Sequence, residues 1–207
     1  MSDNLLAVGV AGAAGVPSGD EVAVCAAQWL ACATDPASAD TQLFAKLIAA
    51  RDARHELALL GLSQAAWQGL TARHFARKSP AGTTRLTLPP AVLTSEHAAF
   101  VGTLHALLLA EANPEVDAAD AHCLATIVAH ACLRPDHLWR DLGLRGRDDV
   151  TWMLTRYFPA LVERNVDNLR WKKFLAAQRA LSLGLAPGPA PGCPGCEDYG
   201  FCFAHPV

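Results

Sequence analysis

The stretch FVGTLHALLLAEANPEVDAADAHCLATIVAHACLRP, residues 100–135, decides the fold. Phe100, Leu104, Leu107 and Leu108 stand at i, i+4, i+7 and i+8, which places all four on one face of a helix. Pro114 ends that segment, because proline cannot continue the helical hydrogen-bond ladder. Leu124, Ile127, Val128 and Ala131 repeat the pattern, and the second segment stops before Pro135. The period is helical in both halves.

Working outward, the same reading extends over most of the chain. Residues 21–33 and 41–57 read as helices separated by the Asp35-Pro36 break. Ser63 is placed to cap a helix running through Trp67, Leu70 and Phe75. Pro80, Gly82 and Pro89-Pro90 mark a loop from 79 to 90. Val150, Met153, Leu154, Tyr157 and Phe158 form a further apolar face, and Pro159 marks the entry to a last helix reaching about Leu183. The stretch GLAPGPAPG, 184–192, cannot be helix and reads as a semi-flexible linker. No strand pattern and no internal repeat competes. The expected architecture is all-α: a mobile N-terminal tail over 1–20, one helical bundle over 21–183, and an irregular cysteine-bearing arm over 184–207.

Composition agrees with one helical domain. The chain has 207 residues and is 52% hydrophobic, enough for a real core. Alanine and leucine dominate, while β-branched and aromatic residues are sparse, which favours helix over sheet. A formal net charge of −3 gives no reason to expect nucleic acid or a membrane surface as partner. The apolar run from Leu5 to Val16 follows an acidic start where a signal peptide needs lysine or arginine. No run reaches the ~18 residues of a membrane span. Seven unevenly spread cysteines do not make a secreted disulfide framework. A cytoplasmic protein with reduced thiols is the expectation.

The chemistry concentrates at the C-terminal end, in PGCPGCEDYGFCFAHPV. Cys193, Cys196 and Cys202 are spaced C-x2-C-x5-C, and Pro194-Gly195 can turn the first pair toward one point. A third thiolate can complete one face of a tetrahedral or cubane metal site. The bland reading is a set of exposed reducible thiols, or one disulfide with a spare. His205 follows Cys202 by three residues and is a candidate fourth ligand, which would make a structural Cys3His zinc site. A thiol–disulfide enzyme using Cys193 and Cys196 lacks the βαβ context that activates such a pair.

Other candidates read as structural. Cys25, Cys32, Cys123 and Cys132 lie on apolar helices, where cysteine is a small buried hydrophobe. His97 and His105, like His122 and His130, are eight residues apart, too far to share a metal, and read as surface or core-edge histidines. Arg164, Arg170, Lys172, Lys173 and Arg179 make the last helix locally basic. That is a solvated face, or a surface where Arg170, Lys172 and Lys173 hold an oxyanion or dock an acidic partner. Gly143-Leu144-Arg145-Gly146 lacks the Lys-Ser/Thr of a phosphate loop. No nucleophile, base and orienter stand together, so no enzyme is expected.

Three stretches together carry a family resemblance: ACLRPDHLWRDLGLRGRDDV at 131–150, RYFPALVERNVDNLRWKKF at 156–174, and the terminal cysteine cluster. In combination they resemble the NifQ family of nitrogen-fixation proteins. The resemblance implies a non-catalytic carrier that supplies molybdenum for the nitrogenase iron–molybdenum cofactor. It implies molybdenum held in an iron–sulfur cluster ([3Fe-4S] or [4Fe-4S]-like) on the C-terminal cysteines. It also implies molybdate-derived species and the cofactor-assembly proteins, scaffold and iron protein, as partners. Cys193, Cys196 and Cys202 match the last three cysteines of the family's C-x4-C-x2-C-x5-C pattern. The first falls at Gly188 and is absent, and a further family cysteine after RWKKF is replaced by residues such as Arg179 and Ala180. Three thiolates can hold three irons and leave a fourth corner exchangeable, as a molybdenum donor needs. His205 or a distant cysteine is the alternative occupant of that corner.

Overall fold

The computed structural model describes residues 19–76, 87–88 and 90–203. Residues 1–18, most of the expected 79–90 loop, and His205 lie outside them. The described chain is all-α, with no strand. Its helices are α1 (Gly19–Ala31), α2 (Ala39–Asp52), α3 (Gln64–His74), α4 (Ser95–Ala110), α5 (Ala118–Ala131), α6 (Leu138–Asp141), α7 (Arg147–Tyr157), α8 (Pro159–Glu163), α9 (Trp171–Ser182) and α10 (Tyr199–Phe203). Short 3₁₀ turns occupy Leu57–Leu60 and Cys193–Gly195.

Local chemistry sets the helix starts. Ser38, Ser63 and Thr94 each accept a hydrogen bond from the amide three residues on, at Thr41, Ala66 and His97. Asp117 accepts from Ala119 and Asp120 at 2.8 and 3.0 Å. Each cap satisfies an amide that the first helical turn leaves without a partner. The apolar faces then close the core. Leu104, Leu108, Leu124 and Val128 are fully buried where α4 packs on α5, and Trp67, Leu70, Phe44, Met153 and Leu154 extend the same core.

Buried and partly buried polar clusters fix how the elements meet. Asp40 at the start of α2 takes both Arg156 nitrogens at 2.6 Å and the Tyr157 hydroxyl at 2.7 Å from the end of α7. Asp120 on α5 takes Arg73 and the His74 Nε2 of α3, whose Nδ1 meets Thr41 at 3.0 Å. Buried polar groups need such partners, so each cluster specifies one arrangement of the helices.

The single last helix expected from Pro159 to Leu183 is two helices, α8 and α9. The Asn165 carboxamide oxygen accepts the Leu169 amide at 2.8 Å, while its nitrogen donates to the Leu169 carbonyl at 3.0 Å. Asn168 sits at φ +52°, and Arg147 donates to its carbonyl and side chain. Side-chain bonds to the backbone replace the helical ladder there. This break divides the expected basic helix. Arg164 pairs with Glu111, and Arg179 donates to Thr103 and lies 4.8 Å from the centre of the Phe100 ring.

Candidate metal centre

The site begins with residues 132–141, the loop that follows α5 together with the short helix α6. Lys172, near the start of α9, is buried, and its ammonium donates to the Arg134 carbonyl at 2.8 Å, to the Asp136 carbonyl and to the Asp141 carboxylate. Arg134 adds bonds to the Leu59 and His130 carbonyls, and Arg51 reaches the Asp141 carbonyl. All three Lys172 donors are therefore used inside the fold. Lys172 is an internal tie, because an ammonium has three donors and no others, and it also lines the cavity described below.

The arm docks on this loop. The stretch 184–192 is non-helical, as expected of a linker, and mostly exposed; its end is anchored, with Ala190 fully buried and the Gly192 amide donating to the Cys132 carbonyl at 3.0 Å. The glycines are required by space. A Cβ on Gly192 would lie 2.0 Å from the Arg134 carbonyl oxygen, and one on Gly195 would lie 2.4 Å from the Pro135 Cβ. The Cys-Pro-Gly-Cys turn thus sits directly against Arg134 and Pro135. The Cys196 amide closes the turn on the Cys193 carbonyl at 2.9 Å.

The expected basic residues hold the arm from the other side. Arg170 meets Asp198 at 2.8 Å, and Lys173 donates to the Cys202 carbonyl with its Nζ 5.0 Å from the centre of the Phe203 ring. Arg140 reaches Glu197 at 3.2 Å. Arg170, Lys172 and Lys173 all act within the chain here, tying the cysteine arm and its loop to α9.

A cavity of about 50 Å³ lies between arm, loop and α9, and Cys193, Cys196 and Cys202 all line it. Arg170, Lys173 and Arg147 supply positive charge around the same space, and His137 closes it from the loop side. Burial pushes the Cys193 thiol up, against the Ala190 backbone and the Lys172 charge. Burial also raises Cys202, opposed by Lys173 and Arg170. Ligation by these thiols releases protons, and the nearby cations favour the thiolate form. Cys193 is also part of the core edge, at 6% exposure, which its Pro/Gly-rich setting did not announce.

Of the other cysteines, Cys25, Cys123 and Cys132 are buried, as their apolar setting predicted, whereas Cys32 is only partly buried. Cys123 is buried, and complete burial pushes Cys132 up to about 12, so it stays a thiol at neutral pH. Of the histidines, His105 and His122 meet across α4 and α5 with ring centres 4.6 Å apart, a pairing that spacing along one helix did not reveal.

Among the described residues no three His, Cys, Asp or Glu side chains converge on one point. One zinc ion with ligands at about 2.0–2.3 Å requires such a point. A polynuclear cluster does not, since each thiolate binds a different iron and the ligands need only ring a common space. Three thiols line one space with Arg147, Arg170, Lys172 and Lys173 and with the carboxylates of Asp136 and Asp198, a donor set of the kind that an iron–sulfur cargo requires. Sequence reading missed His137 and Arg147 at this cavity. The signal for His137 was its place within ACLRPDHLWRDLGLRGRDDV, one of the stretches that carry the family resemblance.

Comparison with known proteins bears on this arrangement. The NifQ family model matches residues 27–204. A protein NifQ of Azotobacter vinelandii is 48% identical over 84 residues, 41% of this chain and 43% of that protein. A NifQ homolog of Sinorhizobium fredii is 36% identical over 143 residues, 69% of this chain and 60% of that protein. A protein NifQ of Klebsiella pneumoniae is 40% identical over 85 residues, 41% of this chain and 51% of that protein. The matches thus span about half the length of these relatives. No solved structure matches the chain. Among the described residues no helix is long and apolar enough to cross a membrane. With the family match running from α1 to the cysteine arm, the chain belongs to the NifQ family of nitrogen-fixation proteins.

Proposed function

We propose that this chain is a cytoplasmic, non-catalytic carrier that binds a molybdenum–iron–sulfur cluster as cargo and donates molybdenum for nitrogenase cofactor assembly. The observation that carries the reading is the single cavity that Cys193, Cys196 and Cys202 all line, together with Arg170 and Lys173. Thiolates are the ligands such clusters require, and surrounding cations offset the negative charge of cluster and ligands. Three thiolates leave one metal position without a cysteine, which suits a carrier that must release its metal. The recipients in this reading are the scaffold and iron protein of cofactor assembly, and the molybdenum arrives as a molybdate-derived species.

The test is metal and sulfide analysis of protein purified without oxygen. Iron, sulfide and molybdenum together are expected, with most of the iron lost in Cys196→Ala. Stoichiometric zinc without sulfide would instead establish a structural zinc protein. Full iron and visible absorbance in Cys196→Ala would remove the cysteine arm from the assignment.

A further inference from the structure

The three cysteines of the arm are not held alike. Cys193 and Cys196 belong to a turn seated on the bundle. Cys193 is buried at the core edge, the Gly192 amide bonds to the Cys132 carbonyl at 3.0 Å, and Gly195 leaves no room for a Cβ against Pro135. Cys202 stands on the segment Glu197–Phe203, whose backbone amide bonds stay inside the arm. Tyr199 donates to the Cys196 carbonyl and Cys202 to the Asp198 carbonyl. The five residues of α10 are too few to hold a helix alone, since isolated helices shorter than about a dozen residues are marginal in water.

Charge at the surface holds this segment to the bundle. Arg170 meets Asp198 at 2.8 Å and Arg140 meets Glu197 at 3.2 Å, with all four side chains partly exposed. Lys173 reaches the Cys202 carbonyl, and Arg170 and Lys173 lie over the rings of Phe201 and Phe203. Phe201 is 79% exposed, so apolar burial adds little. Exposed ion pairs contribute little each and weaken with salt. Segments with few buried contacts open far more often than a packed core does. Yet Tyr199, Cys202 and Phe203 form one wall of the cavity.

We propose that Glu197–Phe203 is a flap that opens between Cys196 and Glu197 and carries the third thiol on and off the cargo, with Arg170 and Asp198 as its latch. This rests on the cluster-carrier reading above and names how that site is regulated. Cys193 and Cys196 keep the cargo on the bundle while the flap moves. On opening, the bond between the Cys202 sulfur and the metal breaks, the electron pair stays on sulfur, and the thiolate takes a proton from water. Closing reverses each step, with no oxidant or reductant. Opening also removes one wall of the cavity, which gives the cargo its way in and out.

The test is the rate at which iodoacetamide alkylates each thiol of the reduced full-length protein without cargo, located by peptide mass spectrometry across a salt series. Cys202 should react faster as salt rises. In Arg170→Gln at low salt it should react about two- to fivefold faster, the effect of losing an exposed ion pair. Cys193 should not change. The sign is diagnostic, because the Arg170 charge also favours the Cys202 thiolate, so losing it with the flap closed slows alkylation. Arg170→Asp combined with Asp198→Arg should restore the slow rate. Protein loaded without oxygen should lose iron to a chelator faster in Arg170→Gln by a similar factor. Cys202 rates that fall or stay level in Arg170→Gln and across the salt series overturn the flap and leave the carrier reading intact. So does an equal rise at Cys193, which would mean that the whole arm lifts. Unmodified protein that takes up no iron overturns the carrier reading, while the alkylation rates still decide whether the flap opens.

Discussion

The bundle and the cysteine arm are held by different physics. Around α2, α3, α5 and α7 the chain buries continuous apolar faces, and Phe44, Trp67, Leu124 and Leu154 lose all contact with water. The arm buries little beyond Ala190 and Cys193; Tyr199 and Phe201 stay exposed. Its position comes from directed contacts with Arg170, Lys173, Arg140 and the backbone of 132–135. Apolar burial is worth roughly 25 cal/mol per Å² and is non-directional, so it stabilises the bundle as a whole. Ion pairs and single hydrogen bonds contribute less, yet they fix one geometry. A cargo site benefits from that division, since the arm can be placed accurately without being locked into the core.

Lys172 is where the two regions meet, and its loss should have the largest effect on stability. Lys172→Met leaves the Arg134 and Asp136 carbonyls without their donor and should cost about 3 kcal/mol. Chemical denaturation should show that loss together with reduced iron binding. Full stability with normal iron would mean that the loop is held by Arg134 and Arg51 alone.

A bundle-only change should spare the site. Asp40→Asn removes a carboxylate held by Arg156 and Tyr157 and should cost about 2 kcal/mol at neutral pH, with iron content unaffected. The hydrogen bond from Arg156 leads the effects that hold the Asp40 carboxyl below its usual range. A depressed folded value means that the unfolded chain takes the proton first as pH falls. The stabilisation is therefore complete above the ordinary carboxylate range and is lost as pH drops through the lower folded value. Melting curves of Asp40→Asn and the unmodified protein should converge in acid and separate at neutral pH.

An arm-only change should do the reverse. Gly195→Ala places a methyl group 2.4 Å from Pro135, so the cysteine turn must shift. We expect a melting temperature within a degree or two of the original, about 0.5 kcal/mol in stability, alongside faster proteolysis after Gly184 and weaker iron retention. The smallest effect belongs to Lys173→Gln, a half-buried contact to the Cys202 carbonyl worth about 0.5 kcal/mol. It should lower cluster retention slightly, and more so at low salt, where screening is weak. Equal retention across a salt series would make Lys173 dispensable to the arm.

The helices of the bundle were readable because their signals are local. Ser63 caps α3 where its position before the Trp67 face places it, and Pro114 and Pro135 bound α4 and α5. The split between α8 and α9 was not readable, because Asn165 breaks the ladder with help from Arg147, a residue on α7. Lys172 looked like its neighbour Lys173 in the sequence RWKKF, and the helix turn sends only the first inward to Asp141. The end of the 184–192 stretch is anchored because Gly192 fits against the Arg134 carbonyl, a match of surfaces that composition does not record.

By itself the sequence determined the helical class, the apolar faces and the three thiols of the arm. Each of these depends on residues a few positions apart, within reach of hydrogen-bond periodicity and turn chemistry. Only the tertiary structure decided that Cys193, Cys196 and Cys202 share a cavity with His137, and that the basic residues serve the arm. Those relations join segments far apart in the chain, 29 residues for Lys173 and Cys202 and 57 for Arg140 and Glu197. They exist because the core fixes where α5, α9 and the arm converge.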